Sequence, residues 1–293
     1  MNARTTAILA LVSALAAAGA AAQTPQSTDP AAASPLVGAQ APIPPPPPGS
    51  APAPRRTGYL APGTAPDILR VLPPPPAEGD TRDDADLAVF RSTRRLEGTP
   101  RWTMAQRDNA LGVPVLLQVF SCALDTVITA PQAPALVRLL GLSGVDANLS
   151  STMGKNTWRR KRPYERQAGT VCLPADEAAR LARASPDYPS GHSTASWMAG
   201  RLLAEVAPDR ATEILERARK FGESRVVCGV HHLTAVEAGR TTAESVLAAL
   251  HGVPAFLTDL ELARQEVSDL RGKVKPQPEA CAADAAALAE RPF

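Results

Sequence analysis

The chain has 293 residues, with 31 Lys+Arg against 29 Asp+Glu, and four cysteines. A balance this close to neutral gives no support for nucleic-acid or membrane-surface binding, so any basic site has to be local. With 4% aromatic residues and abundant alanine and leucine, closely packed helices are the natural way to bury a core.

At the N-terminus, Arg4 supplies a positive start, residues 7–18 form an uncharged apolar run, and Ala20-Ala21-Ala22 precede Gln23. Residues 1–22 read as a secretory signal peptide. The apolar run is too short to span a bilayer, which takes about 20 residues, and the three alanines have the small-x-small form of a cleavage site. The predicted localisation is periplasmic or secreted. Residues 23–82 are rich in Pro, Ala, Gly and Ser, with proline runs at 44–48 and 73–76. Proline has no amide donor, so this stretch is predicted as an extended, partly disordered linker whose second proline run lies against the folded body.

The folded domain is predicted over residues 83–272, followed by a C-terminal tail, 273–293. Leu87, Val89, Phe90 and Leu96 lie on a helix that Gly98-Thr99-Pro100 ends. Residues 111–127 are apolar enough for a buried central helix, with Pro114 near its start, but Gln118 and Asp125 argue against a membrane span. Further helices are predicted over 133–140, 147–160, 175–184, 193–206, 209–222, 235–251 and 254–271. Thr234-Ala-Val-Glu237 has the form of a capping box. No alternating run marks a strand, so the expected fold is an all-α, single-domain helical bundle. Cys122, Cys172, Cys228 and Cys281 contain no C-x-x-C pair. In an oxidising compartment they predict one or two structural disulfides, with all three connectivities open.

Three segments stand apart from this background. In Lys155-Asn-Thr-Trp-Arg-Arg-Lys-Arg162-Pro163, two cations seven positions apart fall on nearly the same helical face at about 100° per residue. Arg159, Arg160 and Lys161 read as a solvated basic helix end favouring the C-terminal dipole. In Pro189-Ser190-Gly191-His192, a tight turn opens a helix, and amides, hydroxyl and imidazole there make an anion site. In Ser224-Arg225-Val-Val-Cys-Gly-Val-His231, an arginine and a histidine flank a short apolar run.

The order K-x6-R-P, P-S-G-H, S-R-x5-H resembles the signature of the phosphatidic acid phosphatase type 2 and haloperoxidase superfamily. Its soluble exported bacterial members are the class A nonspecific acid phosphatases. The resemblance implies a phosphate cradle of Lys155, Arg162 and Arg225, helped by the Ser190 hydroxyl and the Gly191 amide. It implies His231 as the nucleophile that forms a phosphohistidine, and His192 as the acid for the leaving alcohol and then the base for water. It also implies small phosphomonoester substrates, inhibition by phosphate or vanadate, no metal or other cofactor, and a possible homodimer. Phosphoryl transfer asks mainly for positioning and positive charge, which three fixed cations supply.

The family pattern continues S-R-x5-H-x3-D, with an aspartate that orients the nucleophilic histidine. Here that position is Ala235. Loss of such an acid costs about 10⁴ in turnover in serine proteases, so a loss on the order of 10²–10⁴ is expected here. Glu237 is assigned to the capping box, Asp187 and His232 to structural or solvated roles, and His251 to a helix end. The competing readings are a phosphate-binding relative without turnover and a vanadium-dependent haloperoxidase. The His231 ring decides: its Nε2 should lie within about 4 Å of an anion-sized pocket lined by Lys155, Arg162 and Arg225, and the partner of Nδ1 separates enzyme from binder.

Overall fold

The computed structural model describes residues 57–293, so the expected signal peptide and residues 23–56 lie outside the described residues. Among the described residues the chain is helical and contains no strand. The folded body begins earlier than expected. The Tyr59 amide donates to Asp146 (2.8 Å) and its hydroxyl to Asp259 (2.6 Å). A short helix follows, α1 (Ile68–Val71), with Ile68 fully buried. The 73–76 proline run does lie on the body, where the Pro73 carbonyl accepts from the Tyr188 hydroxyl (2.9 Å).

Helix α2 (Thr81–Thr93) starts on an Asp80 cap, and a single 3₁₀ turn carries it to Leu96. The Gly98-Thr99-Pro100 stop also starts a helix that sequence reasoning missed, α3 (Pro100–Arg107). Thr99 caps it, and its proline sits where an amide would have no partner anyway. The central helix expected over 111–127 is broken into α4 (Val113–Val119) and α5 (Ser121–Leu124). Gly112 at φ 138° and Asp125 in the left-handed region (φ 54°) bound the pair. Both pieces still bury Leu116, Leu117, Phe120 and Leu124.

Conversely, the helices expected over 133–140 and 147–160 are one, α6 (Pro134–Trp158). Its glycines 141 and 144 face open space. Packing of Leu136, Leu139, Leu140 and Ala147 into one core outweighs their weak propensity. After α7 (Pro163–Arg166) and α8 (Ala175–Ala184) come the helices that build the centre: α9 (Gly191–Val206), α10 (Ala211–Val227) and α11 (Leu233–Leu250). Small residues let them approach closely. A Cβ on Gly200 would lie 2.4 Å from the Ala218 Cβ of α10, and one on Gly239 would lie 2.6 Å from the Ser190 carbonyl oxygen. That contact presses α11 against the start of α9, where P-S-G-H lies.

Helix α12 (Pro254–Leu270) closes the main core with Phe256, Leu260 and Val267. The expected C-terminal tail carries a helix of its own, α13 (Pro278–Ala289), anchored by the Cys122–Cys281 disulfide and an Arg107–Asp284 ion pair of 2.6 Å. The second disulfide joins Cys172 to Cys228, which resolves the open connectivity. Among the described residues no single helix is long and apolar enough to cross a membrane.

The capping box expected at Thr234 and Glu237 is not used. Helix α11 begins at Leu233 with no side-chain cap. Asp86 accepts from the Thr234 amide (3.0 Å) and from its hydroxyl, which in turn accepts from Arg160 (2.9 Å). A carboxylate from α2 therefore replaces the local Glu237.

Candidate active site

The first motif works differently from a single helical face. Helix α6 stops at Trp158 because Arg159 turns left-handed (φ 49°). Lys155 stays on its last turn, whereas Arg162 lies beyond it as the N-cap of α7, which begins at Pro163. Both side chains are buried, at 8% and 1% exposure. Lys155 Nζ donates to the Pro186 carbonyl. Arg162 donates from Nε to the Ser185 carbonyl (2.9 Å) and from Nη1 to the Val230 carbonyl (2.5 Å). Backbone carbonyls thus fix the direction of each cation, one for Lys155 and two, from separate loops, for Arg162.

Arg160 is no solvated helix end. It is buried and binds Asp83 (3.0 Å), Asp86 (2.9 Å) and Asp187 (3.5 Å). Arg166 shares Asp83 and holds its carboxyl far below the usual range. This ionic cluster ties α2, the α6–α7 turn and the loop ahead of α9 together, beneath the P-S-G-H segment.

Ser190 caps α9, its hydroxyl accepting from the Ser193 amide (3.4 Å), and its own amide donates to the Ala235 carbonyl (2.9 Å). The first amides of α9, Gly191's among them, have no intrahelical acceptor, and they carry the positive end of the helix dipole. A Cβ on Gly191 would lie 3.8 Å from Lys155 Cε, so the first and second motifs meet here.

Helix α10 presents Arg225 from its last turn. Arg94 caps that end by donating to the Val226 (3.1 Å) and Val227 (2.7 Å) carbonyls. The chain then folds back, with the amides of Val230 and His231 donating to the Arg225 carbonyl (3.1 and 3.3 Å). The Cys172–Cys228 disulfide lies inside this reversal. Arg225 is 1% exposed, and its Nε and Nη1 donate to no group among the described residues. Burial, and then the charge of Arg162, bring its pKa down to about 9. Burial and the same neighbour bring Lys155 down to about 7.

The two histidines are set by their hydrogen bonds. Arg162 Nη1 lies 3.1 Å from His231 Nε2. Guanidinium can only donate, so Nε2 carries the lone pair and the proton is on Nδ1. Nδ1 donates to Asp187 Oδ1 (3.0 Å). Burial and the adjacent Arg162 hold the ring well below the ordinary imidazole pKa, so it is neutral. His192 Nε2 donates to the Asn109 carbonyl (3.0 Å), and burial with the charge of Arg225 lowers its pKa likewise. Asn109 is a contact the sequence did not reveal. Its loop is pinned by Asp108, which accepts from Arg217 (2.6 Å) and from the Ser224 hydroxyl (2.6 Å).

A cavity of about 250 Å³ opens over the site, lined by Asn109, Glu177, Arg180, Leu181, Ala184, His192 and Arg225. The three motifs therefore converge, but the pocket differs from the expected one. Of the three cations only Arg225 lines it, Lys155 and Arg162 being held by backbone carbonyls, and the expected His231 is not among its lining residues. Asp187 is not solvated: it is fully buried against both His231 and His232. His251 is remote in role, bonded to Leu247 and Glu205.

Comparison with known proteins agrees with this constellation. Residues 135–258, which contain all three motifs, match the PAP2 superfamily. An acid phosphatase of Zymomonas mobilis subsp. mobilis is 38% identical over 205 residues, 70% of this chain and 77% of that one. Non-specific acid phosphatases of Providencia stuartii and Salmonella typhi are each 33% identical, over 73% and 68% of this chain and 86% and 79% of their own. The chain belongs to the PAP2 superfamily and is related within it to the non-specific acid phosphatases.

Proposed function

We propose that the protein is an exported acid phosphatase that hydrolyses phosphate monoesters of broad specificity through a phosphohistidine. The observation that carries this reading is Arg225, a buried guanidinium whose Nε and Nη1 have no acceptor among the described residues, in the same cluster as a neutral histidine, His231, whose Nε2 lone pair faces Arg162. An unpaired buried cation is costly, and an anionic substrate is the partner that would offset it.

In the first step the His231 Nε2 lone pair forms a bond to phosphorus while the phosphorus–oxygen bond of the ester breaks. The leaving oxygen takes a proton from protonated His192. Lys155, Arg162 and Arg225, with the first amides of α9, hold the non-bridging oxygens as charge spreads over them. In the second step water attacks phosphorus and gives a proton back to His192. The phosphorus–nitrogen bond breaks and its electron pair returns to Nε2.

Breadth of specificity is supported by the mouth of the site, where exposed Arg180 and Ala184 of α8 offer a leaving group no enclosed recess. Export is supported by the two disulfides, which persist in oxidising compartments, and by the composition of residues 1–22. The test is hydrolysis of p-nitrophenyl phosphate by the mature chain, with alkaline quenching to trap the acid-labile phosphoryl-imidazole. Turnover with a phosphorylated peptide at His231, lost in His231→Ala, is the expected result. Phosphate binding with no hydrolysis at any pH would leave only a binding protein.

A further inference from the structure

The Asp187 carboxylate is enclosed completely, and both oxygens are committed. Oδ1 accepts from His231 Nδ1 (3.0 Å) and from the His232 amide (3.2 Å). Oδ2 accepts from His232 Nδ1 (2.8 Å) and from Arg160 Nη1 (3.5 Å). Its own amide donates to the Arg160 carbonyl (2.8 Å), so backbone and side chain are both fixed. Burial opposes its ionisation, but the two histidines outweigh that and hold the carboxyl well below the usual range.

The position four residues after His231 has the opposite character. The Ala235 side chain is fully buried in an apolar cluster with Ile68, Leu72 and Tyr188, and only its carbonyl is used, accepting from Ser190. That seat is built for a methyl group. A carboxylate there would be desolvated among hydrocarbons.

We propose that Asp187, from the turn ahead of α9, is the positioning residue for His231, and that it does the work the helix after His231 leaves undone at Ala235. This rests on the phosphohistidine reading above. Asp187 fixes the ring so that the proton stays on Nδ1 and the lone pair on Nε2 faces phosphorus. It also faces the positive charge that the ring acquires once Nε2 is phosphorylated. No proton leaves Nδ1 in the cycle. His232 holds the other carboxylate oxygen and keeps Asp187 from rotating away.

The experiment compares wild type, Asp187→Asn and Ala235→Asp in p-nitrophenyl phosphate turnover and in inhibition by inorganic phosphate. Asp187→Asn should lower kcat by about 10²–10⁴-fold while the phosphate inhibition constant stays within about threefold. Ala235→Asp should bring no gain in kcat. The inference is overturned if Asp187→Asn keeps kcat within about fivefold, if phosphate affinity falls in parallel with kcat, or if Ala235→Asp raises kcat about tenfold or more. Should Asp187→Asn not fold, nitrogen-15 histidine spectra of the wild type decide instead. They should show His231 protonated on Nδ1 with a strongly downfield proton; protonation on Nε2 at neutral pH overturns the assignment. A wild type without turnover would count against the parent reading, and the spectra would still test the position of the proton.

Discussion

Replacing Arg225 by methionine should stabilise the protein in phosphate-free buffer and abolish its turnover. Burial and then Arg162 lower the guanidinium from its ordinary value to about 9. At about 1.4 kcal/mol per pH unit, holding that charge inside the fold costs on the order of 5 kcal/mol. The folded value is the depressed one, so the cost is present in full below about pH 9 and fades as pH rises toward the unfolded value. Methionine removes the charge and keeps an unbranched side chain. Lost packing and the lost attraction of Asp108 return part of the gain, leaving about 2 kcal/mol of net stabilisation. For a chain of this size that is roughly 4–8 °C in Tm. Calorimetry of both proteins, with and without inorganic phosphate, is the assay. Phosphate should raise the wild-type Tm and leave that of the variant in place. A variant less stable than wild type by more than about 1 kcal/mol without phosphate refutes the reasoning, because the guanidinium would then be held by the protein and not reserved for an anion.

The Cys172–Cys228 bridge closes a loop with a sequence separation of 56, so paired replacement by alanine should cost about 4 kcal/mol in denaturant melts. It should also lower kcat, since the bridge lies between Arg225 and His231; unchanged stability would contradict the estimate. Turnover should be favoured by acid. His192 must be protonated to act, and its pKa is depressed below 6.5, so the alkaline limb of kcat/KM in the free enzyme should fall below that value. Lys155, lowered to about 7, loses its charge as pH rises through 7, and inhibition by phosphate should weaken over the same interval. Gly239→Ala would place a Cβ 2.6 Å from the Ser190 carbonyl oxygen. Displacing that turn should cost about 1–3 kcal/mol and raise KM in a thermal melt and kinetic assay of one preparation.

Helix periodicity made most of the bundle legible, because α8 to α12 each bury one face and are ended by local signals. The failures have local causes too. Residues 111–127 are apolar throughout and look continuous, yet Gly112 and Asp125 at positive φ confine the helical turns between them. Residues 141–146 look like a break, yet a glycine facing open space costs little once the leucines around it are packed. Helix α3 was hidden because Gly98-Thr99-Pro100 can be read as a stop and is also a start.

The convergence of the three motifs was legible for a different reason. Each motif is a short run at a helix end, where chain direction and exposed amides already fix what the side chains can do. What holds the motifs was not legible, because it depends on residues distant in sequence. Arg160 looked like a charge for solvent and instead gathers Asp83, Asp86 and Asp187 in the interior. Three carboxylates on one buried guanidinium would be a poor arrangement if stability were its only purpose. It becomes intelligible once Asp187 is seen to hold His231 and His232 on its remaining positions. A neutral imidazole beside Lys155 and Arg162 is best fixed by an anion that neither moves nor takes up a proton; Arg160 helps hold Asp187 in place, and the two histidines keep it ionised. The missing acid at Ala235 was itself the available signal. On the proposal made for Asp187, the carboxylate that replaces it lies in Ser185-Pro-Asp187-Tyr-Pro189, directly ahead of the P-S-G-H turn.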